Sequence, residues 1–456
     1  MQSDRITGIE AGMCMNDFAQ RIKPIIKVVI GTMKKDKKRA IIMFVSITLA
    51  IIPVVVITAY TNALDQLQYN INYGYLSRNP RYTPKQLDMY ARDDEYYALV
   101  SIGLVLDTII VLSAMALIKS VISYYSGEKS KNLAILSSLG ASTFQKIALL
   151  SFDALITSIA AVPMGVLTGF LIASPLISSL NDISIKYFTG LWKIEPLYLF
   201  KGNITLYIFL FLLFGFGIVS YASYKPALAL IKKSQIELAR TYDAINISLK
   251  PSIFDVVFKR LFGITGRLAC CNYINNKKRY RQFSLVISSL IVICILMSLF
   301  MTYIFSDNDP DLSPEDIEFE TSFIRITSYT FVSIFITFLI STTSNLFLCY
   351  RKRKPEFAML KSIGVTDSEI KKMIMIESIY QGIYTFIYTM IGVFIGDKLL
   401  YKFIVEILIH KIAYIFPFWE IIGAFFATMF ISLILSVIMI SILAKGNIVE
   451  NIRKAY

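Results

Sequence analysis

"AIIMFVSITLAIIPVVVITAY", residues 40–60, decides the fold class. It carries no charged side chain, and a bilayer-spanning helix needs about 20 mostly apolar residues. A cleaved signal peptide has a shorter apolar core and a small-residue cleavage site, so this run reads as a retained span. Seven further apolar runs follow, at 97–124, 150–177, 204–224, 283–305, 326–350, 377–403 and 420–444. The mean hydropathy is +0.61 and only 17% of residues are charged. Barrel strands would instead alternate every second residue over about 10 residues. The expected fold is an all-α polytopic membrane protein with eight transmembrane helices.

The net charge of +14 raises the question of nucleic acid, and its distribution answers against it. Residues 1–39 hold nine Lys or Arg, including "KKDKKR" at 34–39. Residues 222–282 hold twelve, against three acids, and the loop after the sixth run opens "RKRK" at 351–354. By contrast "SDNDPDLSPEDIEFE", 306–320, contains no base. Bases flanking span ends mark the cytoplasmic side, whereas single-strand binding needs a basic groove with interleaved aromatic side chains. With eight spans both termini are then cytoplasmic. Residue usage rich in Ile, Lys, Asn, Tyr and Phe suggests a bacterium with an AT-rich genome, which places the chain in the bacterial cell membrane. The five cysteines have no ligand-like spacing and none falls in a predicted outer loop, so no disulfide framework is expected. The one histidine, His410, cannot supply a His-based metal site.

The chain repeats itself. "KKDKKRAIIMFVSITLAII" (34–52) and "INNKKRYRQFSLVISSLIV" (274–292) share a basic entry to an apolar run. "LAILSSLGAS" (133–142) aligns with "FAMLKSIGVT" (357–366), and an acid stands thirteen residues after each glycine, Asp153 after Gly140 and Glu377 after Gly364. The halves close alike, on "IELAR" (236–240) and "VENIR" (449–453). An even number of spans per half makes the two four-helix repeats parallel. The domain reading is a basic amphipathic cytoplasmic segment at 1–39, a first four-span repeat at 40–240, a basic linker at 241–282 and a second repeat at 283–456.

The doubled segment is the leading functional candidate. In the first copy Lys131, Leu133, Leu136 and Leu139 make an amphipathic turn or two, Gly140 suits a helix stop, and Ala141 and Ser142 lead into the next helix, which Ser142 can cap. In the second copy Glu356, Phe357, Leu360 and Ile363 precede Gly364, Val365 and Thr366, with Thr366 or Asp367 as the cap. The result is a short helix on the inner face, a hard corner and a rigid span. Such a piece can carry a push from a cytoplasmic partner into the membrane. A single copy would read as an ordinary interfacial anchor; two copies at the same topological place favour coupling.

These segments, the acid early in the following span, the Lys/Arg-rich entries and the exit with Pro226, Ala227, Ile236, Glu237 and Arg240 resemble the FtsX-like (MacB-type) permeases of ABC transporters, here as two FtsX-like repeats. The resemblance covers most of the chain. Two departures stand out. The acid that opens the coupling segment is Glu356 in the second half but Asn132 in the first, and the large outer domain common after the first span of a repeat is missing. The resemblance implies a transmembrane subunit driven by a separate homodimeric ATPase that binds ATP and Mg. A phosphate-cradling loop needs G-x-x-x-x-G-K-[ST], and the nearest fragment, "SGEKSK" at 126–131, lacks both glycines in register. The chain is therefore not expected to be an enzyme or to bind a cofactor itself.

Within the apolar runs stand Asp107, Asp153 and Glu377, with Arg325 at the outer start of the sixth run as a candidate partner for Asp107. An acid there is costly unless it faces protein, water or a partner. Asp107 reads either as a substrate contact or gate, or as a hydrogen-bonded structural acid. Asp397 and Lys398 read as the outer end of the seventh span, and Gly165-x-x-x-Gly169 and Gly392-x-x-x-Gly396 as close helix contacts. Three functions stay open: export or extrusion of peptides or other envelope-active amphipathic molecules; mechanotransmission or lipid and lipoprotein release; and, from another class, secondary transport.

Overall fold

The computed structural model describes residues 26–34, 36–78, 81–188, 195–200, 204–231, 253–275, 277–304, 314–352, 354–407, 414 and 416–443. Among them it is helical and contains no strand. The helices are α1 (26–34), α2 (Lys37–Ser77), α3 (Pro84–Tyr90), α4 (Asp94–Glu128), α5 (Ser130–Ser138), α6 (Thr143–Phe188), α7 (Ile204–Ile231), α8 (Ile253–Asn275), α9 (Lys277–Ile304), α10 (Pro314–Lys352), α11 (Lys354–Ser362), α12 (Asp367–Ile407) and α13 (Phe418–Leu443). Five are long and apolar enough to cross a membrane: Ala40–Ser77, Leu99–Gly127, Thr143–Phe188, Ile204–Ile231 and Asp367–Lys402. Two shorter apolar stretches, Phe283–Leu299 and Phe418–Ile434, lie within α9 and α13. The chain is an all-α membrane protein.

Small residues set how closely the long helices approach. A β-carbon on Gly169 of α6 would fall 2.7 Å from Val55 Cβ of α2, and one on Gly165 would fall 3.0 Å from Ile51 Cβ. In the second half a β-carbon on Gly392 of α12 would fall 2.7 Å from Val292 Cγ2, and one on Gly396 2.6 Å from Leu296 Cδ1 of α9. Each four-residue step on one helix meets a four-residue step on the other, running the same way, so α6 lies parallel to α2 and α12 parallel to α9. Removing these side chains lets the backbones come together and replaces lipid contact with dense packing.

The two halves share one core. Ile47 and Val54 of α2, Ile110 and Leu117 of α4 and Val166 of α6 are buried together with Leu290 and Ile293 of α9 and Ile334 of α10. α2 packs on α10 and α4 packs on α9, so the first and second long helices of one half meet the second and first of the other. Two hydroxyl pairs mark these seams. Tyr60 on α2 meets Thr327 on α10, and Ser113 on α4 meets Ser289 on α9 at 2.6 Å.

α2 and α6, with 41 and 46 residues, are roughly 60 and 70 Å long at 1.5 Å per residue. The hydrocarbon core of a bilayer is about 30 Å thick, so both helices project well beyond it. Their far ends hold a small cap. Gln66 Nε2 donates to the Tyr198 carbonyl at 2.8 Å and Asn70 Nδ2 to the Glu195 carbonyl at 3.0 Å, while Leu197 N–H donates to Asn181 Oδ1 at 2.8 Å. Thr83 caps α3, which begins at Pro84, and the Tyr69 hydroxyl donates to Asp88 Oδ1 at 2.8 Å.

Candidate functional site

The doubled segments fold into two corners of the same construction. At the first, Gly140 N–H donates to the Ser137 carbonyl (3.2 Å) and Ala141 N–H to the Leu136 carbonyl (3.0 Å). At the second, Gly364 N–H donates to the Lys361 carbonyl (3.0 Å) and Val365 N–H to the Leu360 carbonyl (3.0 Å). This nested pair of bonds is the Schellman motif, which satisfies carbonyls left open at a helix end and needs a left-handed residue. Gly140 has φ +82° and Gly364 φ +102°, a region side-chain-bearing residues resist.

The next helix starts at once in both. Ser142 Oγ accepts from Gln145 N–H at 3.3 Å while Gln145 Oε1 accepts from Ser142 N–H at 2.9 Å. Thr366 and Glu369 make the same reciprocal pair at 3.3 and 2.9 Å. These are capping boxes, and of the two caps the sequence offered at the second corner, Thr366 serves. A helix stop and a helix start within four residues leave the corner no slack.

Each corner has one inward anchor and one outward tip. Leu133 is buried with Leu150 of α6 and Ala227 of α7. Phe357 is buried in the second-half core. At the tips Leu139 is 77% exposed and Ile363 80%. Leu136 and Leu360 are half-buried. Leu139 does not share the inward face of the amphipathic turns expected from Leu133, Leu136 and Leu139: α5 ends at Ser138, so Leu139 turns outward with the corner. Ala141 and Val365 are half-buried behind the tips. The side chains of Lys131 and Glu356 lie outside the described residues.

Asp153 sits eleven residues into α6 and makes a buried ion pair with Lys129, Nζ to Oδ2 2.9 Å, both side chains under 9% exposed. Glu377, at the corresponding place in α12, accepts from the Tyr280 hydroxyl of α9 at 3.1 Å. Tyr280 stacks on Tyr273, which meets Tyr380 and Tyr384. A Lys361–Asp367 ion pair bridges the second corner; Ser137 and Thr143 stand at those places in the first.

Asp107 faces α2, beside Thr58 and Asp65. One of its carboxylate oxygens is buried without a hydrogen-bond partner, as is one of Asp65. The expected pairing with Arg325 is not made. Arg325 is exposed on α10, while the packing of α4 on α2 turns Asp107 toward α2. Asp397 is buried and accepts from the Tyr414 hydroxyl at 2.6 Å. That bond, with partial burial, pushes the Tyr414 phenol up to about 12. His410 lies outside the described residues. Lys129, Tyr280 and Asp65 escaped the sequence reading; a lysine at the end of a long apolar run was the one signal that could have pointed to Lys129.

Residues 327–448 match the family model of the FtsX-like permease C-terminal domain. No curated protein matches the chain.

Proposed function

We propose that this chain is the membrane-spanning permease subunit of an ATP-driven ABC transporter in a bacterial cytoplasmic membrane. It spans the bilayer eight times as two parallel repeats, with both termini and both corners cytoplasmic. A separate homodimeric ATPase binds ATP and Mg and hydrolyses ATP, and its two subunits dock on the two corners of one chain. The cargo class is peptides or other amphipathic, envelope-active molecules.

The observation that carries this reading is the pair of corners. Each joins a short helix to a long one through a left-handed glycine and a capping box, and each leaves one large apolar tip exposed. An exposed leucine or isoleucine on a rigid corner is suited to a pocket on a partner, and a corner without slack passes movement into the helix behind it. The FtsX-like domain match at 327–448 supports the permease class. The basic loops beside the corners support their cytoplasmic placement.

The test is co-expression with an ABC ATPase encoded beside this chain's gene, where the neighbouring genes include one, followed by native mass measurement. One copy of this chain with two ATPase copies is expected; two with two would sink the proposal. A second reading, signalling across the membrane without transport, is favoured by the projection of α2 and α6 beyond the hydrocarbon. Reconstituted vesicles separate the two: ATP-dependent movement of a labelled cationic amphipathic peptide supports transport, and ATP-dependent change at the projecting end without movement supports signalling.

A further inference from the structure

Lys129 is the single residue between α4 and α5 and serves both. Its N–H donates to the Ser126 carbonyl of α4 at 3.2 Å, and its carbonyl accepts from Leu133 N–H of α5 at 2.9 Å. Its ammonium group reaches Asp153, three turns and about 15 Å along α6. The chain from 129 to 153 therefore forms a closed figure. One side is α5, the second is the start of α6, the vertex is Gly140, and the Lys129–Asp153 pair is the third side.

We propose that this ion pair is a strut that makes the first corner a rigid lever, so that a load on Leu139 turns α6 as a body instead of bending the chain at Gly140. The inference rests on the coupling role given to the corners above. Two physical points support it. An open two-helix corner can hinge at a residue with glycine's freedom, and a bond between its arms removes that hinge. A buried ion pair is also a poor way to gain stability, because desolvation offsets most of the attraction and an apolar pair of similar volume often does as well. What the pair adds is position: it fixes one point of α6 relative to the junction of α4 and α5. In the second half the Lys361–Asp367 bridge spans the corner and the Tyr280 hydroxyl donates to Glu377, while residue 353, which corresponds to Lys129, lies outside the described residues.

The experiment uses the full chain in lipid nanodiscs, with the native cysteines replaced and spin labels at Ile135 on α5 and Ile159 on α6, both exposed. Lys129→Met combined with Asp153→Leu removes both charges together, so no lone charge is left buried and the fold is kept. This pair should broaden the label-to-label distance distribution, and Lys129→Arg should leave it narrow. In complex with the ATPase, the apolar pair should also lose ATPase stimulation by about fivefold or more, the lower end of ordinary coupling energies. An unbroadened distance in the apolar pair, or a Lys129→Arg variant as broad as the apolar pair, overturns the strut. A broadened distance with normal stimulation overturns its role in coupling. Failure of the unaltered chain to bind any ATPase would count against the permease reading instead, and the distances would still decide the strut.

Discussion

The Tyr60 hydroxyl on α2 and the Thr327 hydroxyl on α10 share a buried hydrogen bond of 2.5 Å, 267 positions apart in the chain. Thr327 Oγ1 also reaches the Phe323 carbonyl within its own helix at 2.9 Å. The seam between the halves is thus an apolar core with a few hydroxyl pairs placed in it. Tyr60→Phe removes one partner but leaves Thr327 its local acceptor. The expected cost is about 0.5–1.5 kcal/mol, the net worth of one hydrogen bond, read as a modest fall in thermal stability. A double-mutant cycle with Thr327→Val should return a coupling energy of that size. Zero coupling would mean the pair does not tie the seam.

The glycines at the helix crossings differ in what a methyl group would strike. At Gly169 it meets Val55 Cβ, which is fixed to the backbone; at Gly396 it meets the end of Leu296, which can swing away. Gly169→Ala should therefore be the more damaging, by about 1–3 kcal/mol for an overpacked site, and Gly396→Ala milder. Val55→Ala keeps the β-carbon and should relieve Gly169→Ala little, whereas Val55→Gly removes it and should restore Gly169→Ala in part, while destabilising the unaltered protein by about 1 kcal/mol. Equal loss from both glycine variants would contradict the geometry.

At the corners the constraint is conformational. No atom lies within 4 Å of where a β-carbon would sit on Gly140 or Gly364. A substitution there meets open space but must adopt positive φ. Asparagine tolerates that region and valine does not. Gly140→Val and Gly364→Val should each cost about 1–3 kcal/mol of local strain, uncouple ATP hydrolysis from transport and leave membrane levels normal. Gly140→Asn and Gly364→Asn should keep most coupling. Transport unchanged in both valine variants would remove the coupling role.

The corners were readable in the sequence because their determinants are local. A glycine followed within two residues by Ser142 or Thr366, with Gln145 or Glu369 three further on, specifies a stop and a start with no reference to the rest of the chain. The small-x-x-x-small spacing was equally visible, though not its partners on α2 and α9. What stayed hidden depends on helix rotation and on contacts far apart in sequence. Leu139 fitted the stripe of Leu133 and Leu136 until the helix end turned it out. Asp153 announced a buried acid without naming Lys129, twenty-four positions earlier. Arg325 suited Asp107 by charge, but packing turned the two toward different neighbours.

Asp107 offers the last test. It lies against α2 with Asp65 nearby, and a buried oxygen of each carboxylate lacks a hydrogen-bond partner. Two acids in one helix seam repel when both are ionised, and an acid at that depth is costly unless it faces water or a partner. Asp107→Asn keeps the shape, removes one charge and lets the amide donate to Thr58 or Asp65. Thermal stability should therefore be equal to or above that of the unaltered protein. If the charge serves a hydrated path or gate, stimulation of the ATPase by cargo should fall in the same preparation. If Asp107 is only a structural acid, stimulation should stay normal, since Thr58 keeps its bond to the Val54 carbonyl. We expect reduced stimulation without lost stability. Normal stimulation in Asp107→Asn, measured beside an unchanged melting temperature, would show that the charge at this seam is dispensable.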